Sequence, residues 1–190
     1  MRKVVILLAI AIAAFAAQIP RKAPEFVITA PDGKQTLLSS YRGKTVVLAL
    51  MYTTCPHCQK LSGELNGIQR EYAAKGVQVL GAVWDPTAAK NLKAFTTAFA
   101  SGFPCGSSSS EAVMTFLQQP SNNPPFVPIL VFIDKTGMIR MVHMVTGDTP
   151  ENSPEQKYFA DANASIRADL DKLLKGTPAS VKVPSKPRKS

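Results

Sequence analysis

Thr45-Val46-Val47-Leu48-Ala49-Leu50-Met51 is apolar after its first residue and hands over, across Tyr52-Thr53-Thr54, to Cys55-Pro56-His57-Cys58. An apolar run without alternation reads as a strand buried on both faces, as in a sheet covered by helices on each side. Pro56 suits the first turn of a helix, and Leu61, Leu65, Ile68 and Tyr72 recur at helical spacing until Gly76 ends the pattern. Two thiols three residues apart therefore lie where a strand gives way to a helix, within reach of a disulfide.

Working outward, Val77-Gln78-Val79-Leu80-Gly81-Ala82-Val83 is a second buried strand. Asp85-Pro86-Thr87 reads as a helix cap, and Leu92, Phe95 and Phe99 share one helical face. This strand-helix-strand-helix order predicts parallel strands joined by crossovers. Towards the N-terminus, Phe26-Val27-Ile28 and Thr36-Leu37-Leu38 flank Pro31-Asp32-Gly33-Lys34 as a β-hairpin. Towards the C-terminus, Pro128 to Ile133 and Met138 to Val145 flank Asp134-Lys135-Thr136-Gly137, a second hairpin that closes the sheet antiparallel. Gly102 to Ser110 reads as a loop, Glu111 to Leu117 as a short helix, and only Phe116 and Leu117 promise packing there. Tyr158, Ile166, Leu170, Leu173 and Leu174 fall in one last helix ended by Lys175-Gly176. The fold class is α/β, a central mixed sheet flanked by helices on both faces, with an N-terminal hairpin.

The chain has 190 residues and is 45% hydrophobic, enough for one cored domain. Arg2 and Lys3, the apolar run Val4 to Ala17 and Ala14-Phe15-Ala16 form a signal-peptide pattern, assigned to residues 1–16. The run is shorter than the ~20 residues that cross a bilayer, so a membrane anchor applies only if the leader stays uncleaved. Residues 17–25 read as a polar, proline-bearing linker, 26–175 as the domain and 176–190 as a basic tail too poor in apolar residues to order. Export predicts the periplasm or another extracytoplasmic space, where disulfide chemistry is permitted.

The net charge is +9, but Arg2, Lys3 and five basic residues from Lys175 onward account for seven of it, leaving +2 for the middle. The fold is nearly balanced, which excludes a nucleic-acid-binding face. Three cysteines exclude a disulfide-stapled miniature scaffold, and with only His57 and His143 beside them no closed zinc site can be assembled. No metal and no organic cofactor is implied.

The chemistry therefore starts at Cys55, at a helix N-terminus whose free N–H groups and dipole favour negative charge. His57 adds a donor or positive charge beside it, and such surroundings lower a thiol pKa from ~8.5 to ~3.5–7.5. A four-unit depression would stabilise the thiolate by about 5 kcal/mol and raise the reduction potential by on the order of 100 mV. Cys58, one turn further in, would resolve a mixed disulfide formed at Cys55. Cys105 is left over, most simply a small buried residue, with a second redox thiol as the alternative.

Leu38 to Leu48, then Cys55 to Cys58, then Val127-Pro128-Ile129-Leu130-Val131-Phe132-Ile133-Asp134-Lys135-Thr136-Gly137 together resemble the TlpA and ResA branch of the thioredoxin superfamily, over roughly Phe26 to Lys175. The resemblance implies a thioredoxin-like fold and a redox-active centre that exchanges electrons with cysteine-containing exported proteins and a redox partner protein. It further implies that Pro128 is the cis-proline facing the dithiol, with Val127 offering main-chain hydrogen bonds to a bound peptide. Two departures stand out. Ala49 occupies the place where such reductants often carry a buried carboxylate, and Leu61 the place of a ResA-type glutamate, with Glu64 one turn beyond. The Cys-Pro-His-Cys tetrad is similar to that of DsbA-type oxidases, which leaves the direction of electron flow open and tips it toward oxidation or isomerisation.

Two other chemistries compete. Tyr52 to Pro56 resembles the SCO copper chaperones, with His143 as a third ligand, although their cysteine spacing is one residue longer. A peroxiredoxin-like peroxidase would need a proline and threonine arrangement ahead of its cysteine that this chain lacks.

Overall fold

The computed structural model describes residues 19–119 and 124–176, so the leader assigned to 1–16 and nearly all of the basic tail lie outside the described residues. The described strands are β1 (Arg21–Lys22), β2 (Val27–Thr29), β3 (Gln35–Leu37), β4 (Thr45–Met51), β5 (Val77–Val83), β6 (Cys105–Ser107), β7 (Phe126–Ile133) and β8 (Met138–Val145). They form one sheet in the order β1-β8-β7-β4-β5-β6-β2-β3. Pairing is parallel for β4 with β5 and β5 with β6, and antiparallel elsewhere. The helices are α1 (Pro56–Tyr72), α2 (Ala88–Phe99), α3 (Ser110–Leu117), α4 (Pro154–Ala160) and α5 (Ala162–Gly176).

Every residue of β4 is buried because the sheet is covered on both faces. Val47, Ala49 and Met51 pack on Leu61, Leu65 and Ile68 of α1, Leu92 and Phe95 of α2, and Ile166 and Leu170 of α5. Val46, Leu48 and Leu50 face the opposite way, toward Phe26, Ile28 and the Val113 and Phe116 of α3. The strand alternates between two apolar cores, which is why its sequence shows no alternation.

Four sequence expectations need correction. The linker assigned to 17–25 is partly sheet: Arg21 and Lys22 pair with Ile139 and Met138, and Ala23 is buried. Main-chain pairing along the outer edge of β8 draws in a polar segment that apolar periodicity cannot flag, and an Arg21 guanidinium N–H donates to the Phe116 carbonyl at 2.6 Å. The serine loop contains β6, which joins the parallel strands to the N-terminal hairpin. Small residues make this possible, since a Cβ on Gly106 would land on the Thr29 carbonyl. Val113 adds a third fully buried side chain to the packing expected of Phe116 and Leu117. The last helix is two helices, broken at Asp161, whose carboxylate accepts from the Ala164 N–H at 3.2 Å and starts α5 afresh.

Candidate active site

Where β4 ends, three residues lead to Cys55, which is the N-cap of α1 with extended backbone and Pro56 just inside the helix. The Cys55 Sγ accepts from the Cys58 N–H at 3.4 Å, so the sulfur sits on a free donor of the first helical turn. Cys55 is half-buried and Cys58 fully buried, and both are free thiols. Ser62 Oγ donates to the Cys58 carbonyl at 2.9 Å and lies 3.2 Å from Met51 Sδ, tying the second thiol's turn to the end of β4. Burial above all, with Cys55 and the Asp85 charge adding to it, pushes the Cys58 thiol far above the ordinary range, against a main-chain hydrogen bond from Tyr52.

The Val127–Pro128 peptide is cis, and the Val127 carbonyl oxygen lies 3.9 Å from Cys55 Sγ. The β4–β7 ladder ends at Ile129 and the β7–β8 register shifts between Phe126 and Leu130, so Val127 lies outside the paired positions of both ladders. Beside it opens a groove of about 580 Å³, walled by His57, Lys60 and Glu64 of α1, Phe126 to Pro128 of β7, and Gln156 and Phe159 of α4. His57 is exposed on its rim, and Pro56, next to it in the chain, is exposed as well. Glu64 faces this groove and pairs with Lys60 at 3.8 Å.

The opposite side of the dithiol is closed by residues the sequence reading placed elsewhere. Asp85, read as a helix cap, is 7% exposed and turns its carboxylate to the loop before Cys55. Asp85 Oδ2 accepts from the Thr53 N–H at 2.8 Å, while Oδ1 accepts from Thr53 Oγ at 3.1 Å, from the Thr87 N–H at 3.1 Å and from Thr87 Oγ at 2.5 Å. Burial alone would raise this carboxyl, but the Thr53 and Thr87 donors outweigh it and hold it below the usual range. The register carries the signal that could have found it: Met51 pairs with Val83 in parallel, so Thr53 and Asp85, each two residues on, stand level.

His143 is not joined to the dithiol. It sits opposite Leu130 on β8, 2.9 Å from Asp169 and stacked on Tyr158 with ring centroids 3.7 Å apart. Burial, outweighing Asp169, moves its pKa down. Among the described residues no three His, Cys, Asp or Glu side chains group as a metal site would require, which leaves the copper reading without support. Cys105 Sγ fills the space where a Cβ on Gly81 would sit, and burial pushes its thiol up to about 12, so it is an inert packing residue.

A family model, the AhpC/TSA family, matches residues 19–142. The chain belongs to the AhpC/TSA family. Within it, this member is 29% identical over 141 residues to the thiol-disulfide oxidoreductase ResA of Bacillus thuringiensis (strain Al Hakam), covering 73% of this chain and 75% of that protein. It is 28% identical over 135 residues to ResA of Geobacillus kaustophilus (strain HTA426), covering 70% of this chain and 72% of that one. A thiol:disulfide interchange protein of the thioredoxin family from Chlorobium tepidum TLS superposes with a TM-score of 0.60 at 21% identity, over 82% of this chain and 99% of that chain. The fold of this AhpC/TSA member is thioredoxin-like.

Proposed function

We propose that this chain is an extracytoplasmic thiol-disulfide oxidoreductase in which Cys55 and Cys58 exchange two electrons with disulfides or thiols of exported, cysteine-bearing proteins. The observation that carries the reading is the unequal setting of two adjacent thiols: Cys55 stands at the helix mouth beside an open groove, and Cys58 is sealed beneath it. In the reducing direction the Cys55 thiolate attacks a client disulfide, forming a mixed disulfide and releasing one client sulfur, which takes a proton from solvent. Cys58 then gives up its proton and attacks Cys55 Sγ. The second client thiol leaves, and the two electrons have passed to the client as the Cys55–Cys58 disulfide closes. Oxidation of a client runs the same steps backward.

Burial supports the order of events, because a Cys58 held as a thiol cannot compete with Cys55 for the first attack. Val127, outside both ladders, offers its main chain to an extended client segment, and His57 on the rim offers a donor to the departing sulfur. The ResA relatives and the apolar leader pattern support an extracytoplasmic setting. Among the described residues no helix is long and apolar enough to cross a membrane.

Reduction of insulin disulfides by the full chain tests the reading. Cys55→Ser is expected to lose turnover altogether, while Cys58→Ser accumulates a covalent adduct with the client that dithiothreitol releases. Turnover that survives in Cys55→Ser, or a Cys58→Ser chain that never cross-links, would overturn it.

A further inference from the structure

Only Tyr52, Thr53 and Thr54 separate the sheet from Cys55, so whatever fixes these three residues fixes where the nucleophile meets its partner. Thr53 is 5% exposed and each of its polar groups is engaged. Its N–H and Oγ donate to Asp85, its carbonyl accepts from Gln59 Nε2 of α1 at 3.0 Å, and its Oγ also accepts from Asn91 Nδ2 of α2 at 3.3 Å. Next to it, the Tyr52 ring meets Trp84 edge-on at 4.7 Å, and the Trp84 main-chain N–H donates to the Met51 carbonyl at 3.1 Å. Asp85 is the one member that bonds Thr53 through both its main chain and its side chain.

We infer that Asp85 is the positioning residue of the dithiol: through Thr53 it fixes the loop Tyr52 to Thr54 and thereby the geometry in which Cys55 and Cys58 form or open their disulfide. The inference rests on the dithiol reading above. Four donors converge on the two carboxylate oxygens, three of them on Oδ1, so the group is a fixed anchor for the loop. The anchor shifts the redox equilibrium in one direction. A loop held in place raises the effective concentration of one thiol at the other and favours the disulfide.

The test equilibrates the full-length protein with glutathione buffers and follows the thermal melt of each variant alongside. Asp85→Ala is expected to move the equilibrium toward the dithiol by about tenfold, which is about 30 mV. Asp85→Asn keeps an acceptor for the Thr53 N–H and should move it by less, about threefold. Thr53→Val retains the main-chain bond, loses the hydroxyl contacts and should shift it by a similarly small factor. A folded Asp85→Ala with an unchanged glutathione equilibrium overturns the inference, even if it melts at lower temperature, because a purely structural role would move only the melt. Asparagine shifting the equilibrium as far as alanine also overturns it, since charge alone would then account for the effect. If Asp85→Ala fails to fold, the asparagine and Thr53→Val variants are read against the wild type, and no shift in either is fatal. Loss of activity in Cys55→Ser with no shift at Asp85 would leave the dithiol reading intact and remove only this inference.

Discussion

On the side of Cys55 the chain leaves a groove bordered by side chains that touch little, Phe126 being 59% exposed. On the side of Cys58 the chain is packed: Cys58, Met51, Thr53 and Asp85 are all buried, and Thr53 is bonded to Asp85 through both its N–H and its hydroxyl. The two thiols are separated by a single helical turn, yet one borders a surface that can adapt to many partners and the other a packed interior that can hold one geometry. A disulfide exchanger needs both. The first sulfur must accept unrelated chains, and the second must find the first without searching.

Substitutions should separate the two sides. Met51→Ala, which removes a fully buried side chain under Cys58, should cost about 2–5 kcal/mol of stability, measured as the urea midpoint at neutral pH. A loss under 1 kcal/mol would mean the closed side is looser than its packing indicates. Acid should reach the closed side next. The Asp85 carboxyl is depressed in the fold, so its contribution is complete above the unfolded value of about 4 and is lost as pH falls through the lower folded value. Urea midpoints between pH 5 and 2.5 should therefore fall for the wild type and fall less steeply for Asp85→Asn. The slope that remains belongs to other depressed carboxyls, such as Asp134, held down against burial by Thr136, Met138 and Arg140. The smallest effect is expected on the open side. Phe126→Ala should leave the midpoint within about 0.5 kcal/mol of wild type. The same variant should raise KM for a protein disulfide a few-fold at unchanged kcat and leave the glutathione equilibrium alone. A shifted equilibrium would show that the groove and the closed side are not separable.

The sequence made the open side and the centre of the sheet readable, and each for a physical reason. Six consecutive apolar residues in β4 left no other place than a covered sheet, and a Cys-Pro-His-Cys after such a strand could only begin a helix. The closed side was misread because Asp85-Pro86-Thr87 carries the letters of a helix cap, and Asp85 does accept from the Thr87 N–H. Its second use, of Thr53, depends on the register between β4 and β5, which is a property of pairing and not of either strand. The same limit hid β1 and β6. Arg21, Lys22 and Gly106 contribute main chain and the absence of a side chain, and neither leaves an apolar period to detect. The break at Asp161 was invisible because Tyr158 and Ile166 fit one helical face as well as two.

Among the described residues the sheet's two outermost strands are a two-residue β1 and a three-residue β3. A thiol-disulfide oxidoreductase meets other polypeptides, and an extended one can add itself to any exposed ladder. Borders this brief offer such a chain almost no template on which to grow, so the enzyme can handle extended polypeptide without becoming the seed of an aggregate.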